Sequence, residues 1–329
     1  MATGSAERLN TDFARDTEPF RRELLAHCYR MLGSVQDAED TVQETYLRAW
    51  RSYGGFENRS SVRTWLHRIA TNVCLTALQH GDRRMLPSGL GGPSDDPHAE
   101  PVAAESDVAW LQPIPDVLVE SAYGDPEAVV TTRESLRLAL LASLQYLPSQ
   151  QRAVLLLRDV LAFRATDVAD MLGISVAAVK SALQRARANI RDAAPTPDEI
   201  TEPTEPRARE LVDQYIAAFE NADTAMLQRA LRHDAALEMV GSRTWFDGVV
   251  SCVPYLASQV LGSRGDWRMV AIAANGQPAV AAYRRADDGG LHAFGIAVLT
   301  VTLAGITRIV VFGDPGLVTA FGLPESVAA

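Results

Sequence analysis

Cysteine is scarce in these 329 residues: Cys28, Cys74 and Cys252 are the whole complement. The number is odd, the three are far apart in sequence, and none sits at a metal-ligand spacing, so neither a disulfide framework nor a metal site is expected. All three are expected to be ordinary reduced thiols. Long apolar runs are missing too. No stretch of about 18 apolar residues exists, which excludes a membrane-spanning helix. The opening residues, "MATGSAERLNTDFARD", lack the charged-then-apolar order of a secretory leader, so a cytoplasmic location is expected. Basic residues are absent from two stretches. Residues 85–132 hold nine acids and no Lys or Arg, and residues 192–206 hold five acids and none. The net charge of −10 therefore sits in two segments, and it conceals residues 133–191, which carry a net +5. Overall acidity does not exclude nucleic-acid binding here.

What is present is apolar enough, at 47%, to build real cores. The first acidic stretch is rich in Pro, Gly and Ser and holds no apolar periodicity, and in the second prolines prevent a helix while acids keep the chain solvated, so both are expected to be linkers. Three folded blocks remain: 17–84, 127–192 and 207–326, joined by an acidic flexible linker over 85–126 and a second linker over 193–206. In the first block Ser34, followed three residues on by Asp37, predicts a helix start. Val42, Tyr46, Ala49 and Tyr53 fall on one helical stripe, and Asp37, Asp40 and Glu44 on another. Spacing alone reads that acidic face as a solvated surface. Trp50, Tyr53, Phe56 and Trp65 read by spacing as core aromatics. The loop "FENRSS" between rings mixes polar groups with aromatics, a combination suited to unpaired bases.

In the second block the window 165–184 predicts a helix-turn-helix. Ala169 falls where two helices approach, Gly173 where positive φ is required, Ser175 at a cap, and Val168, Leu172, Ile174 and Val179 at buried positions. The second helix of such a unit enters the major groove. It offers Ser175, Ala177, Ala178, Lys180, Ser181 and Gln184, then Arg185 and Arg187. Lys180 and Gln184 suit base edges, and the arginines suit phosphates.

The stretches "RELLAHCYRMLGSVQDAEDTVQETYLRAW", "SSVRTWLHRIATNVCLTAL" and "LPSQQRAVLLLRDVLAFRATDVADMLGISVAAVKSALQRARANI" resemble regions 2 and 4 of the extracytoplasmic-function (ECF) sigma factors of bacterial RNA polymerase. The resemblance implies two all-α domains and an initiation factor, not an enzyme. Its implied partners are core RNA polymerase, through its β and β′ subunits, and promoter DNA. Asp37, Asp40, Gln43 and Glu44 match the surface that docks on the β′ coiled coil. Phe56, Asn58, Arg59, Trp65, Arg68 and Asn72 match the part that holds extruded −10 bases, and the helix from Ser175 the part that reads the −35 duplex. The acidic linker matches the segment that threads the polymerase between them, where its charge suits it to mimic RNA.

The third block begins with two helices and continues in strands, "AALEMV", "WRMVAIAANGQPAVAAYRR" and "LHAFGIAVLTVTLAGITRIVVF", which predicts an α+β cone. It resembles the SnoaL-like domain of the NTF2-like fold. That family includes polyketide cyclases, so His233, Trp245, Asp247, Tyr283, Arg284 and His292 are candidate pocket residues. The expected role is regulation in cis, by packing on the sigma domains or on the linker, with a bound small molecule as a further partner. A ligand-gated DNA-binding regulator and a SnoaL-type enzyme with a DNA-binding appendage are the alternatives. No cofactor is expected.

Overall fold

The computed structural model describes residues 2–56, 60–79, 81–119, 134–193 and 205–328. The chain divides into two units, one of residues 1–84 and 117–194, the other of residues 85–116 and 195–329. In the first, α1 (Ala2–Thr17) and α2 (Arg21–Leu32) precede α3 (Val35–Tyr53) and α4 (Val62–Ala77). Side-chain caps fix where the last two begin. The Ser34 Oγ accepts the Asp37 N–H at 3.1 Å, and the Ser61 Oγ accepts the Thr64 N–H at 3.1 Å, each satisfying a donor with no partner inside the helix. Leu24, Cys28, Tyr29 and Met31 of α2, Ala38, Val42 and Ala49 of α3, and Leu66, Ala70 and Cys74 of α4 are buried together. Each fully buried leucine contributes about 1.5–3 kcal/mol. The helix α1 was not anticipated. Its Phe13 meets the rings of Tyr46 and Tyr53 edge-on, and its Asp16 accepts the Tyr53 hydroxyl at 2.6 Å.

The same unit contains α5 (Leu138–Gln145), α6 (Ser149–Leu155) continued by one π turn (Leu156–Val160), α7 (Ala165–Leu172) and α8 (Val176–Ala193). Gly173 takes φ 64° at the turn between α7 and α8, and the Ser175 Oγ accepts the Ala178 N–H at 3.1 Å, as the sequence pattern requires. Val168, Ala169, Val179 and Ala182 close a small core with Leu157, Leu161 and Phe163.

The two helical modules are not held apart by a tether; they pack on each other. Arg152 of α6 is buried and donates to the Met31 carbonyl, at the end of α2. Arg63 of α4 donates to the Leu161 carbonyl at 3.1 Å and lies over the Phe163 ring at 4.4 Å. The physical reason is the free carbonyls at helix ends, which attract guanidinium groups.

In the second unit α9 (Pro206–Glu220), α10 (Thr224–Ala230) and α11 (Val249–Tyr255) pack on a sheet, and α12 (Pro315–Ala320) follows its sixth strand. The strands are β1 (Leu231–Val240), β2 (Trp245–Asp247), β3 (Trp267–Ala274), β4 (Gln277–Arg285), β5 (Leu291–Thr302), β6 (Gly305–Phe312) and β7 (Ser326–Val327). Their order is β2-β1-β6-β5-β4-β3, with β7 on β5; β1 and β6 are parallel and the other pairs antiparallel. Bulges at Ala282/Tyr283 and Thr300/Val301 bend the long strands, giving the expected α+β cone. One face carries Leu237, Val280, Ala282, Ala297 and Leu299 against Leu211, Tyr215, Phe219 and Leu227 of the helices. The other face carries Ala236, Glu238, Ala279, Ala281, Ile296 and Val298, also buried. Burial on both faces explains why β4 reads as a nearly continuous apolar run.

Residues 85–116 correct the expectation of a flexible linker: they form a strap bound to this sheet. Backbone bonds join Ser94 to Trp245, Ala104 to Gly241 and Val102 to Arg243. The Trp245 indole donates to the Gly91 carbonyl at 2.8 Å, and Glu105 pairs with Arg243 at 2.7 Å. The Ser88 N–H reaches the carboxylate of Glu238, fully buried and paired with Arg308, at 2.8 Å. Leu86, Leu111, Pro113 and Ile114 are buried. An extended segment that pairs its backbone with another element needs no periodicity of its own, so its apolar residues look incidental in sequence. Residues 120–126 of the proposed linker, and 194–204 of the second, lie outside the described residues.

Candidate polymerase and promoter interfaces

The acidic face of α3 is present. Asp40 and Gln43 are exposed, Asp37 pairs with Arg84 at 2.5 Å, and Glu44 pairs with Arg48 at 2.6 Å. The stripe continues at helical spacing into Leu47 and Trp50, which are 51% and 47% exposed. Trp50 is thus not a core aromatic. Its indole is anchored to Asn10 at 2.8 Å and its ring stands outside, beside the acids. Spacing from Asp40 through Gln43 and Leu47 to Trp50 was the available signal.

Phe56, in the loop after α3, and Trp65 of α4 stack with centroids 4.7 Å apart and planes at 29°. Arg68 is exposed, and the exposed Asn72 has its amide 3.5 Å from the Met171 carbonyl. Asn58 and Arg59 lie outside the described residues. Beneath this face Glu23 takes Arg63 at 2.7 Å and lies 3.2 Å from His67. His67 is fully buried against Phe163 and His27, and burial pushes its pKa down to about 4, against the pull of Glu23. Burial likewise holds His27 well below the usual imidazole range and brings Arg30 and Arg152 down to about 10.

Along α8, Ser175, Ala177, Ala178, Lys180, Ser181, Gln184, Arg185 and Arg187 are all exposed. They do not act alike. A period of 3.6 puts Ala177, Ser181 and Gln184 on one stripe with Ala178 and Arg185 beside it. Lys180, Gln184 and Arg187 rim a groove of about 670 Å³ floored by Leu144, Leu156, Leu183 and Ile190. Arg187 is already bidentate to Asp159, at 2.7 and 2.8 Å, so it does not stand free for a phosphate.

The six pocket candidates of the third block do not converge. His233 and Asp247 are exposed near the β1–β2 edge, and Trp245 holds the strap. On β4 and β5, Tyr283 is buried with its hydroxyl on the Pro324 carbonyl at 3.0 Å. Arg284 stands over the Trp267 ring at 5.6 Å, and His292 pairs with Asp288 at 2.9 Å, not with Asp247. Between helices and sheet, Leu211, Tyr215, Phe219 and Leu227 are buried in one cluster with Leu237, Val280 and Leu299. Among the described residues no cluster of three or more His, Cys, Asp or Glu is arranged to hold a metal, and no helix is long and apolar enough to cross a membrane.

Comparison with known proteins follows this division of the chain. Residues 17–84 match Sigma-70 region 2, and residues 137–190 match Sigma-70, region 4. The ECF RNA polymerase sigma factor SigG of Mycobacterium tuberculosis is 49% identical over 324 residues, covering 98% of this chain and 86% of the relative. SigJ of the same organism is 30% identical over 218 residues, 66% of this chain and 61% of the relative. The crystal structure of M. tuberculosis SigJ shares the fold, with a TM-score of 0.59 at 24% identity over 95% of this chain and 99% of that one. With regions 2 and 4 in order, a SnoaL-like sheet domain behind them and identity at this level along nearly the whole length, the chain belongs to the ECF sigma factors of RNA polymerase, which are initiation factors and not enzymes.

Proposed function

We propose that this sigma factor rests in a closed form and that its C-terminal domain regulates it in cis by holding the segment between regions 2 and 4. The observation that carries the reading is the strap: residues 85–116 are bonded along the sheet domain from Ser88 to Asp116. A segment bound there is not free to thread the polymerase. Its six acids suit a channel lined for RNA once it is released.

The separation of the promoter elements supports the closed form. The −10 and −35 elements lie about 25 base pairs apart, roughly 85 Å at about 3.4 Å per pair. A 100-residue domain has a radius of gyration of about 13 Å. Two helical modules in contact through Arg152–Met31 and Arg63–Leu161 do not span that distance. Promoter binding therefore requires them to separate. In the open form Asp40, Gln43, Leu47 and Trp50 meet the polymerase, Phe56, Trp65, Arg68 and Asn72 meet −10 bases, and Ala177, Ser181, Gln184 and Arg185 meet the −35 duplex.

Hydrogen exchange on the full chain, free and with core polymerase, tests this. Strap amides are expected to be protected in the free protein and to exchange faster in the holoenzyme. Equal protection in a transcribing complex, or unchanged transcription after deletion of residues 207–329, would refute the reading.

A further inference from the structure

Tyr53 is the last residue of α3, and Gly54 and Gly55 follow it. Helix ends fray, and two glycines give the chain beyond them wide conformational freedom. A ring at this position needs an anchor from elsewhere to hold one orientation, and α1 supplies it. The Tyr53 hydroxyl donates to the Asp16 Oδ2 at 2.6 Å. Phe13 meets the Tyr53 ring at 5.2 Å with planes at 79°, the edge-on arrangement that aromatic pairs favour. The other Asp16 oxygen accepts from the Arg15 Nε at 3.0 Å. The helix α1 is itself fastened to α3, by the Tyr46 hydroxyl on the Thr17 carbonyl at 3.0 Å and the Trp50 indole on Asn10 at 2.8 Å. Tyr53 in turn lies 6.3 Å from the Trp65 ring, which stacks on Phe56. A continuous line of contacts therefore runs from Asp16 through Tyr53 to Trp65.

We infer that Asp16 is a positioning residue for −10 recognition, holding Tyr53 so that the Trp65 ring is set to receive an extruded base. The inference rests on the reading above that Trp65 meets −10 bases. Stacking needs an aromatic face at a fixed angle, and a ring that must first be ordered loses affinity to that ordering. The bond keeps its form at neutral pH. The Tyr53 hydroxyl holds Asp16 below the usual carboxylate range, and Asp16 pushes the phenol up to about 12, so the acceptor stays ionised and the donor keeps its proton. Phe13 and Asp16 precede residue 17, where the match to Sigma-70 region 2 begins, so this brace lies outside the matched module.

The test uses the full chain with core polymerase on a promoter that the wild type opens, with 2-aminopurine replacing a non-template −10 adenine. Its fluorescence rises as the base leaves the stack. Asp16→Ala is expected to lower that rise about fivefold, with affinity for core polymerase unchanged. Tyr53→Phe, which keeps the ring and drops the hydroxyl, is expected to match it, and the double variant to lose no more than either single one. Asp16→Asn keeps an acceptor for the hydroxyl and is expected to restore most of the signal. Base extrusion intact in Asp16→Ala, whether or not its thermal midpoint falls, would overturn the positioning role, as would additive losses in the double variant. Trp65→Ala separates this inference from the reading beneath it. Extrusion intact in Trp65→Ala would remove Trp65 from the −10 site; extrusion lost there but kept in Asp16→Ala would overturn the positioning role alone.

Discussion

Asn275 and Ile114 bond each other twice: the Asn275 N–H donates to the Ile114 carbonyl at 3.0 Å, and the Ile114 N–H donates to the Asn275 Oδ1 at 3.1 Å. Asn275 is fully buried, with φ 59° ahead of Gly276 at φ 64°, so one tight hairpin turn between β3 and β4 also serves as the receptor for the end of the strap. Gly276 adds a third bond, from its N–H to Asp116 at 2.8 Å. Asn275→Gly keeps the turn geometry and removes only the side-chain acceptor. It is expected to cost about 1–3 kcal/mol, because the Ile114 N–H is left buried without a partner. Hydrogen exchange at Ile114 is expected to quicken at least about tenfold, with transcription by the variant altered. Unchanged exchange would show that the strap is held elsewhere.

Local signals in the sequence predicted local structure well. The Ser34 and Ser175 caps and the Gly173 turn depend on residues within four positions of one another, and all stand where expected. What depended on distant partners was not legible. The strap's bonds join residues more than 130 positions apart, and its apolar residues are too sparse to show a period. Nor did spacing tell that Arg187 is taken by Asp159, or that His292 finds Asp288 and not Asp247. The docking of region 4 on region 2 depends on carbonyls left free at helix ends, which no side-chain pattern reports.

The exposed stripe on α3 combines a repelled charge and an anchor. Asp40→Arg inverts the charge at the centre of the stripe, and Trp50→Ala removes the largest exposed apolar side chain beside it. Each is expected to weaken binding to core polymerase at least about tenfold, about 1.4 kcal/mol. Neither is expected to move the thermal midpoint much, because surface substitutions of this kind usually stay within about 0.5 kcal/mol. Binding titrations with purified core polymerase decide it; an affinity unchanged in both variants would remove this surface from the interface.

Lys180 is the single lysine of the chain and is exposed on α8. Amine-selective acetylation therefore reports one side chain of the recognition helix. Holoenzyme on promoter DNA is expected to protect Lys180 relative to holoenzyme alone. Arg185→Ala is expected to weaken promoter binding across −35 sequences and to lower the salt dependence by about one unit in the log–log slope, as a phosphate contact does. Arg187→Ala is expected to have a smaller effect on the slope, since Asp159 already takes that guanidinium. Equal slopes for the Arg185 and Arg187 variants would contradict the distinction.

The buried imidazoles give the closed unit a defined acid limit. His67 faces Phe163 of region 4, His27 of α2 and the Glu23 carboxylate, and its Nδ1–H donates to the Arg63 carbonyl at 2.9 Å. Its folded pKa, about 4, lies below the unfolded value near 6.5. Between those values the unfolded chain binds the proton more readily than the folded one, so stability falls as pH falls. The contribution is complete above about pH 6.5, is lost progressively on acidification and is gone below about pH 4; at roughly 1.4 kcal/mol per unit it amounts to about 3 kcal/mol. His27, lowered for the same reason, steepens the decline. Urea midpoints of the first unit are expected to hold steady from pH 8 to 7 and to drop between pH 6.5 and 4.5. His67→Gln is expected to flatten that drop, because the amide keeps a donor for the Arg63 carbonyl and has no proton to take up; an equally steep drop in the variant would assign the acid sensitivity to other groups.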